Sequence, residues 1–182
     1  MNSKEAAPQT ESISSIVSVW EKIIDVQMHF NDIELKIRNY ALTTFTFVIA
    51  AMGFLEKEKI VFSYNGEYNI PAATPVGILG IVVVWCFYFM DKFWYHKLLM
   101  GAVYQASEIE KKWGNIIPEI GLTQRISKES PIKLDSKYDW VNSIYKFIGV
   151  TEIHSKSKYR IFYYPLFVVL FAFSLGIWIL EL

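Results

Sequence analysis

The chain has 182 residues, enough for one domain, and 53% of them are hydrophobic, with a 16% aromatic share. Its 18 basic residues balance 18 acidic ones, so no overall field attracts nucleic acid, and we expect no direct binding to it. The single cysteine, Cys86, excludes an internal disulfide and a cysteine-cluster metal site.

Residues 1–39 predict an amphipathic helix, which we call the stalk helix. Apolar residues recur there at spacings of three and four, and Ser12 is placed as a possible N-cap. Neither Pro nor Gly interrupts residues 12–52, so the stalk helix is predicted to continue into the next segment as one rod. Trp20, Ile24 and Met28 expose much apolar area, and we expect them to pack on the helical extension from Leu98 to Trp113 or on a partner.

Three long apolar runs follow, at 40–55, 72–90 and 161–180. Crossing the hydrocarbon of a bilayer takes about 20 helical residues, so the second and third runs predict transmembrane helices. The first run has 16 residues and would cover only about 24 Å as a helix. It is predicted to cross beside a stronger neighbour, which Ala50 and Gly53 would allow to approach closely.

The remaining segments complete an all-α membrane protein. Residues 56–71 are predicted to form a periplasmic loop, and residues 91–113 a helical extension that Gly114 stops. Together these segments predict a long antiparallel transmembrane hairpin with cytoplasmic extensions. Residues 114–160 predict loops with a short helix at 139–150, and the run at 161–180 adds a C-terminal membrane helix with Pro165 in its first turn.

The distribution of Lys and Arg predicts the orientation of the chain in the membrane. Residues 1–39 carry four, residues 56–71 two, and residues 91–160 twelve. Because cytoplasmic segments carry the excess of basic residues, the N-terminus and residues 91–160 are predicted to be cytoplasmic.

Charged residues flank the predicted membrane boundary. In an antiparallel hairpin Arg38 lies at the level of Asp91, and Glu34 at the level of His96, so these four residues are candidates for an ionic latch that holds a closed state. The simpler interpretation is membrane anchoring, with Arg38 reaching the headgroups beside interfacial aromatic residues. The spacing of Glu34 and Arg38 is also that of an ordinary ion pair on a solvated helix face.

The sequence contains no recognised motif for metal binding or for nucleophilic catalysis. His29, His96 and His154 have no metal-ligand spacing to another histidine, and no nucleophile elbow is present. We therefore expect no metal, no cofactor and no catalytic residue. An intramembrane enzyme remains a third alternative.

The arrangement of stalk, hairpin and basic inner segment resembles the small transmembrane effectors of bacterial anti-phage systems, including those encoded beside retron reverse transcriptases or cyclic-oligonucleotide synthases. The residues that carry the resemblance are Met28-His29-Phe30-Asn31-Asp32, Ile37-Arg38-Asn39, Phe89-Met90-Asp91-Lys92-Phe93-Trp94-Tyr95-His96, Gly121-Leu122-Thr123 and Ser130-Pro131-Ile132. The third apolar run departs from the commoner members, which have two. The resemblance is one of architecture.

This resemblance implies a non-enzymatic inner-membrane effector that partners keep silent until infection and that then permeabilises or depolarises the membrane. Its expected partners are the lipid bilayer, further copies of the chain, and a cytoplasmic protein or ribonucleoprotein such as a retron reverse transcriptase complex. The alternative is a membrane-anchored accessory or interaction protein whose cytoplasmic stalk binds a partner complex.

Overall fold

A computed structural model describes residues 6–64, 68–130, 132–133, 138–139, 142–143, 152–153 and 158–180. Most of these residues are helical, but two small antiparallel sheets are present, so the fold is not purely α. The predicted helix at 139–150 lies largely outside the described residues. In chain order the elements are α1 (Ala6–Lys57), β1 (Val61–Tyr64), β2 (Tyr68–Pro71), α2 (Ala73–Phe89), a π-helix (Met90–Tyr95), α3 (His96–Trp113), a 3-10 turn (Pro118–Ile120), α4 (Leu122–Glu129), β3 (Ile132–Lys133), β4 (Glu152–Ile153) and α5 (Lys158–Leu180).

Helix α1 is unbroken over 52 residues, which confirms the predicted continuous rod. It begins at Ala6, so the prediction of Ser12 as N-cap is wrong. Pro8 falls within the first turn, where backbone N–H groups have no partner inside the helix and proline removes no hydrogen bond. Beyond the end of α1, Lys59 has a φ of 50°, the left-handed conformation that commonly terminates helices.

The segment predicted as a plain loop at 56–71 contains the hairpin of β1 and β2. Val61 pairs with Pro71 and Phe62 with Ile70. The signal for this hairpin is in the sequence, because Asn65-Gly66 stands between two short β-prone runs. The second sheet pairs β3 with β4.

The helix predicted to continue past the second apolar run does continue to Trp113, and Gly114 follows it as predicted. Its continuation is not a regular α-helix, because Met90–Tyr95 are in π-helical geometry. Helix α5 begins at Lys158, earlier than predicted, and Pro165 therefore lies in its interior and not in its first turn. An interior proline removes one helix hydrogen bond, which membrane helices tolerate when neighbouring groups compensate.

The chain divides into two compact units. We call them the stalk unit (Met1–Ile33 and Tyr95–Lys156) and the apolar unit (Glu34–Trp94 and Ser157–Leu182). In the stalk unit Trp20 Nε1 donates to Glu110 Oε1 at 3.2 Å, and Gln27 Nε2 donates to the Ala102 carbonyl at 3.2 Å. Helix α1 thus contacts the helix on which the sequence predicts Trp20 and Ile24 to pack, and both side chains are half-buried.

Glycines on one face of α2 set the packing of the apolar unit. A Cβ atom on Gly80 would lie 2.6 Å from Val48 Cγ1 of α1, and one on Gly77 would overlap Ser174 Oγ of α5 and lie 2.7 Å from Met52 Cε of α1. These two glycines therefore allow three helices to approach closely. The buried apolar cluster around them consists of Ala41, Val48, Met52, Ala73, Val84, Tyr159, Tyr163, Leu166, Leu170 and Ile177.

The sequence places close approach at Ala50 and Gly53, and within this chain that prediction is wrong. Both residues are exposed, and a Cβ on Gly53 would meet nothing within 4 Å. The contact face of α1 is the opposite one, which carries Val48 and Met52. A helix that is apolar on every side does not reveal its contact face by periodicity.

Two stretches of helix in the described chain, Ala73–Trp113 and Tyr159–Ile179, are long and apolar enough to cross a membrane. In the most apolar 18-residue segment of each stretch, only 22% and 28% of the residues, respectively, are buried within the chain. The core helix of a soluble protein would be mostly buried, so the exposure of these residues favours a lipid environment. The predicted first span in α1 is not one of the two.

The glycine face of α2 leads to a first prediction. Gly80→Ala should lower the free energy of unfolding by about 1–3 kcal/mol, because the new methyl group overlaps the stiff β-branched side chain of Val48. Gly53→Ala is the matched control, and it should raise that free energy by up to about 1 kcal/mol because alanine is the better helix former. Thermal unfolding in detergent measures both. Equal shifts of the two variants would contradict the packing described.

Candidate functional site

Arg38 is the centre of a group of polar side chains buried in the apolar unit. Its Nε donates to Asp91 Oδ2 at 2.8 Å, and its Nη2 donates to Asp91 Oδ1 at 3.2 Å. This two-bond pairing of guanidinium and carboxylate is the strongest geometry available to an ion pair in a protein. It connects α1 to the π-helix.

Glu34 shares the same guanidinium. Arg38 Nη2 also donates to Glu34 Oε2 at 3.0 Å, one turn earlier on α1. A single nitrogen therefore donates to both carboxylates. The spacing of four residues on α1 brings Glu34 beneath Arg38, as helix geometry requires.

Two tyrosines of α5 complete what we call the ionic cluster, namely Glu34, Arg38, Asp91, Tyr159 and Tyr163. The Tyr163 hydroxyl donates to Asp91 Oδ2 at 3.2 Å. The Tyr159 ring lies 5.3 Å from Arg38 Cζ, within cation–π distance, and its hydroxyl is hydrogen-bonded to Glu34. The two tyrosines are one turn apart, so a single face of α5 contacts both carboxylates.

The ionic cluster is shielded from solvent. Asp91 is 0% exposed and Glu34 4%, and the Arg38 side chain is 16% exposed. Burial alone would lower the pKa of the Arg38 guanidinium, but the hydrogen bond to Asp91 and the charges of Asp91 and Glu34 outweigh burial and raise that pKa. Removing such charges from water costs several kcal/mol per ion, at an order of magnitude, and only complete hydrogen bonding offsets it.

The π-helix supplies Asp91 to the cluster. Asp91 is the second residue of Met90–Tyr95 and directly follows the second apolar run. A π-helical turn contains an extra residue and so changes the direction in which the following side chains leave the helix, and such turns are frequent at functional sites. The sequence shows no proline or glycine here that would predict it.

Lys92, the next residue, is directed to other groups. Its Nζ lies 2.6 Å from the Tyr88 hydroxyl, 5.1 Å from the centre of the Tyr88 ring and 4.9 Å from that of Phe93. The Tyr88 ring in turn meets Tyr163 edge-on at 5.4 Å. Lys92 and Tyr88 therefore border the ionic cluster, and the described hydrogen bond of the Lys92 ammonium goes to Tyr88 and not to a carboxylate of the cluster.

The structure brings together three of the four residues that the sequence predicts as a latch, Glu34, Arg38 and Asp91. The fourth, His96, begins α3 in the stalk unit and is half-buried. The interpretation of Glu34 and Arg38 as a pair on a solvated face is wrong, because both side chains are largely buried. Sequence reasoning missed Tyr159 and Tyr163, although their four-residue spacing at the start of the third apolar run is a signal for them.

A third buried carboxylate, Glu110, has a different role in the stalk unit. Its Oε1 accepts hydrogen bonds from the Thr123 N–H at 2.8 Å and from Trp20, and its Oε2 accepts one from the Gln124 N–H at 2.9 Å. The N-cap of α4 is Gly121, which has no side chain to cap the helix. Glu110 therefore caps α4 from another helix and balances the positive end of its dipole.

Among the described residues, no group of three or more His, Cys, Asp or Glu side chains could hold a metal ion. Comparison of the chain with models of protein families, with curated proteins and with solved structures gave no match.

The ionic cluster leads to a second prediction. Asp91→Ala should lower the free energy of unfolding by about 3–5 kcal/mol, because it leaves the buried guanidinium of Arg38 without its main partner. Lys22→Ala, which removes an exposed ion pair with Asp25, should cause no measurable change. Chemical or thermal unfolding in detergent compares the two. A loss from Asp91→Ala no greater than that from Lys22→Ala would show that the pair does not hold the helices together.

Proposed function

We propose that this chain is an inner-membrane effector that permeabilises or depolarises the membrane when it is released or assembled, in bacterial defence against phage. The observation that supports it best is the buried ionic cluster. It ties three helices of an otherwise apolar unit together through charges that are stable only while all of them remain paired. The resemblance to small anti-phage effectors suggests the setting.

The exposed faces of α2 and α5 support insertion into a bilayer. Leu79 is 62% exposed, Val168 65% and Phe171 61%, and these side chains would face water if the chain were soluble. An exposed apolar surface of that extent indicates a membrane or a large partner. Helix α5, with 23 residues, is about 35 Å long, which suffices for the hydrocarbon core.

The cluster also favours two discrete states over gradual deformation. If Asp91 separated from Arg38 inside the apolar unit, each would remain as an unpaired charge, so intermediate positions are unfavourable. Once the helices separate enough for water or headgroups to reach both charges, that penalty disappears. A closed and an open arrangement are therefore the stable alternatives.

Assembly of several copies is the proposed route to membrane damage. The first apolar run of α1 exposes Ala50 and Gly53, where a second copy can approach closely. The hydroxyls of Thr43 and Thr46 donate to the carbonyls of Asn39 and Leu42, each at 2.9 Å, so they do not oppose contact with lipid. In this proposal α1 crosses beside α2 and α5 as part of an antiparallel hairpin, with the N-terminus in the cytoplasm.

The third prediction tests the effector directly. Expression of the chain alone should arrest growth and admit a normally excluded dye. Both effects should rise steeply with expression level, because the damage requires association of several copies. Gly53→Leu should relieve both effects while the protein stays in the membrane. Arg38→Ala or Asp91→Ala should increase dye entry at equal protein level, because the closed state is lost. The double variant that exchanges the charges of Arg38 and Asp91 should restore the closed state and lower dye entry again.

Two controls make this result interpretable. A reporter fused after Lys59 should be periplasmic and one fused after Ser130 cytoplasmic, which establishes insertion. Gly101→Leu, at another glycine with nothing within 4 Å of its Cβ, should leave dye entry unchanged. If the whole neighbouring operon gives equal phage survival and equal membrane potential with and without this gene, the effector proposal is wrong.

A second candidate function is that of a membrane-anchored accessory protein, and exposed apolar residues of the stalk unit favour it. Val19 is 51% exposed, Val26 44% and Met28 57%, on a helix whose other side contacts α3. Val19 and Val26 are seven residues apart and so lie on the same face. A cytoplasmic protein or ribonucleoprotein, such as a retron reverse transcriptase complex, is the partner this candidate requires.

The fourth prediction separates this candidate from the first. Val19→Ser combined with Val26→Ser should abolish co-purification of a partner encoded in the same operon, because most of the exposed apolar area of that face is lost. Glu21→Ser combined with Lys22→Ser changes the neighbouring exposed positions and should leave it intact. Loss of the partner without any change in dye entry would favour the accessory protein. Unchanged co-purification in both variants would exclude this face as the binding surface.

A further inference from the structure

The hairpin of β1 and β2 is fixed to one end of the apolar unit. Its two strands lie directly between the end of α1 and the start of α2. At the base of the hairpin the Ala72 N–H donates to the Ile60 carbonyl at 2.9 Å, and Ala72 is buried. Strand β2 also contacts both α2 and α5. The hairpin is therefore held against the ends of these helices and is not a free loop between them.

One face of this hairpin is apolar and exposed. Phe62 and Ile70 are directly opposite each other in the register, and they are 59% and 44% exposed. The next pair, Ser63 and Asn69, is polar and exposed, and it lies on the opposite face because successive side chains of a strand point to opposite sides. The apolar pair would be stabilised by a surface that removes it from water, whereas the polar pair gains nothing from such a surface.

The level of this apolar face in a bilayer follows from its attachment to α2. Ile70 precedes Ala73, the first residue of α2, by three residues, and Ala73 also begins a stretch that is long and apolar enough to cross a membrane. Three strand residues span at most about 10 Å. The interfacial layer on each side of the hydrocarbon core is about 5–8 Å thick. Ile70, and Phe62 which pairs with it, therefore lie in or at the edge of that layer.

The exposed apolar surface of the helices continues to the same face. Phe54 near the end of α1, Ile78 near the start of α2 and Trp178 near the end of α5 are 59%, 55% and 46% exposed. The glycine contacts described above bring these three helix ends together. Tryptophan is typical of the boundary between membrane and water, so Trp178 marks the level that Phe62 and Ile70 also occupy.

The backbone of the hairpin restricts it to the interfacial layer. Among the described strands, β1 and β2 pair with each other alone, so each has an outer edge of N–H and C=O groups that the sheet does not satisfy. Open edges of this kind do not occur in hydrocarbon, where no water is present to bind them. At the level of the headgroups water can satisfy the edges while the apolar face contacts acyl chains.

We propose that the apolar face of the β1–β2 hairpin binds the lipid surface, with Phe62 and Ile70 inserted at the boundary between headgroups and acyl chains. The hairpin is then an interfacial anchor that fixes the depth of this end of the three helices. Residues 56–71 do not form a loop surrounded by water in this arrangement. The inference rests on the proposed insertion of α2 and α5 into a bilayer, but not on membrane damage.

Spin labels on the full chain in phosphatidylcholine vesicles test the anchor. Each label is attached to one introduced cysteine, after Cys86→Ser has removed the single native cysteine. Collisions with oxygen, which concentrates in lipid, are compared with collisions with a nickel chelate, which stays in the water on both sides. The ratio of oxygen to chelate collisions should be higher on the apolar face than on the polar face. The apolar face is labelled by Phe62→Cys and Ile70→Cys, and the polar face by Ser63→Cys and Asn69→Cys.

A label introduced by Leu79→Cys, at a position of α2 that is 62% exposed, measures insertion itself. A high ratio at position 79 with equal ratios at all four hairpin positions would overturn the anchor and leave the insertion of the helices intact. A low ratio at position 79 would overturn insertion and anchor together. All five positions are exposed, so each variant should keep the melting temperature of the wild type, which shows that the fold is retained.

A second copy of the chain is the other surface that could cover this face, and the same labels recognise it. Labels at positions 62 and 70 would then be shielded from both reagents. Their spectra would also be broadened by contact between spins, and dilution with unlabelled chain would remove the broadening. That result would overturn the proposal that the face binds lipid.

Discussion

The pairing of Arg38 with Asp91 is the interaction on which the apolar unit depends. A carboxylate that is 0% exposed on an apolar helix would be prohibitively unfavourable alone, and the bidentate guanidinium makes its position possible. The neighbours of this pair, Glu34, Tyr159 and Tyr163, use the hydrogen-bonding capacity that it leaves over. One ion pair thereby specifies which faces of α1, the π-helix and α5 meet.

Close packing complements this polar contact elsewhere in the apolar unit. Because Gly77 and Gly80 of α2 have no side chain, Met52, Val48 and Ser174 lie closer to the backbone of α2 than a Cβ atom there would allow. In lipid, apolar side chains gain little by leaving one apolar surrounding for another, so helices associate through close packing and hydrogen bonds. The glycine face supplies the first and the ionic cluster the second, which explains why a unit with so much exposed apolar surface has defined helix contacts.

The buried carboxylates Glu110 and Asp91 illustrate different uses of burial. Glu110 in the stalk unit accepts hydrogen bonds from three N–H groups and caps α4, so it acts as a fixed structural joint. Asp91 in the apolar unit shares a cation with Glu34, so its environment depends on a balance of charges that can change. A switch is more easily built from the second arrangement, because a displaced partner alters that balance.

The sequence by itself determined where the long helices lie in the chain and which residues of neighbouring helices lie at the same depth. Its long apolar runs, and residues 12–52 without Pro or Gly, predict the rod of α1, and counting from the run ends places Arg38 opposite Asp91. Only the tertiary structure decided which faces meet. A helix that is apolar all round has no periodicity to distinguish a protein-facing side from a lipid-facing one, so Gly77 and Gly80 were not distinguishable from Ala50 and Gly53. Tyr159 and Tyr163 join the cluster through contacts remote in sequence, and burial of Glu34 follows from those contacts.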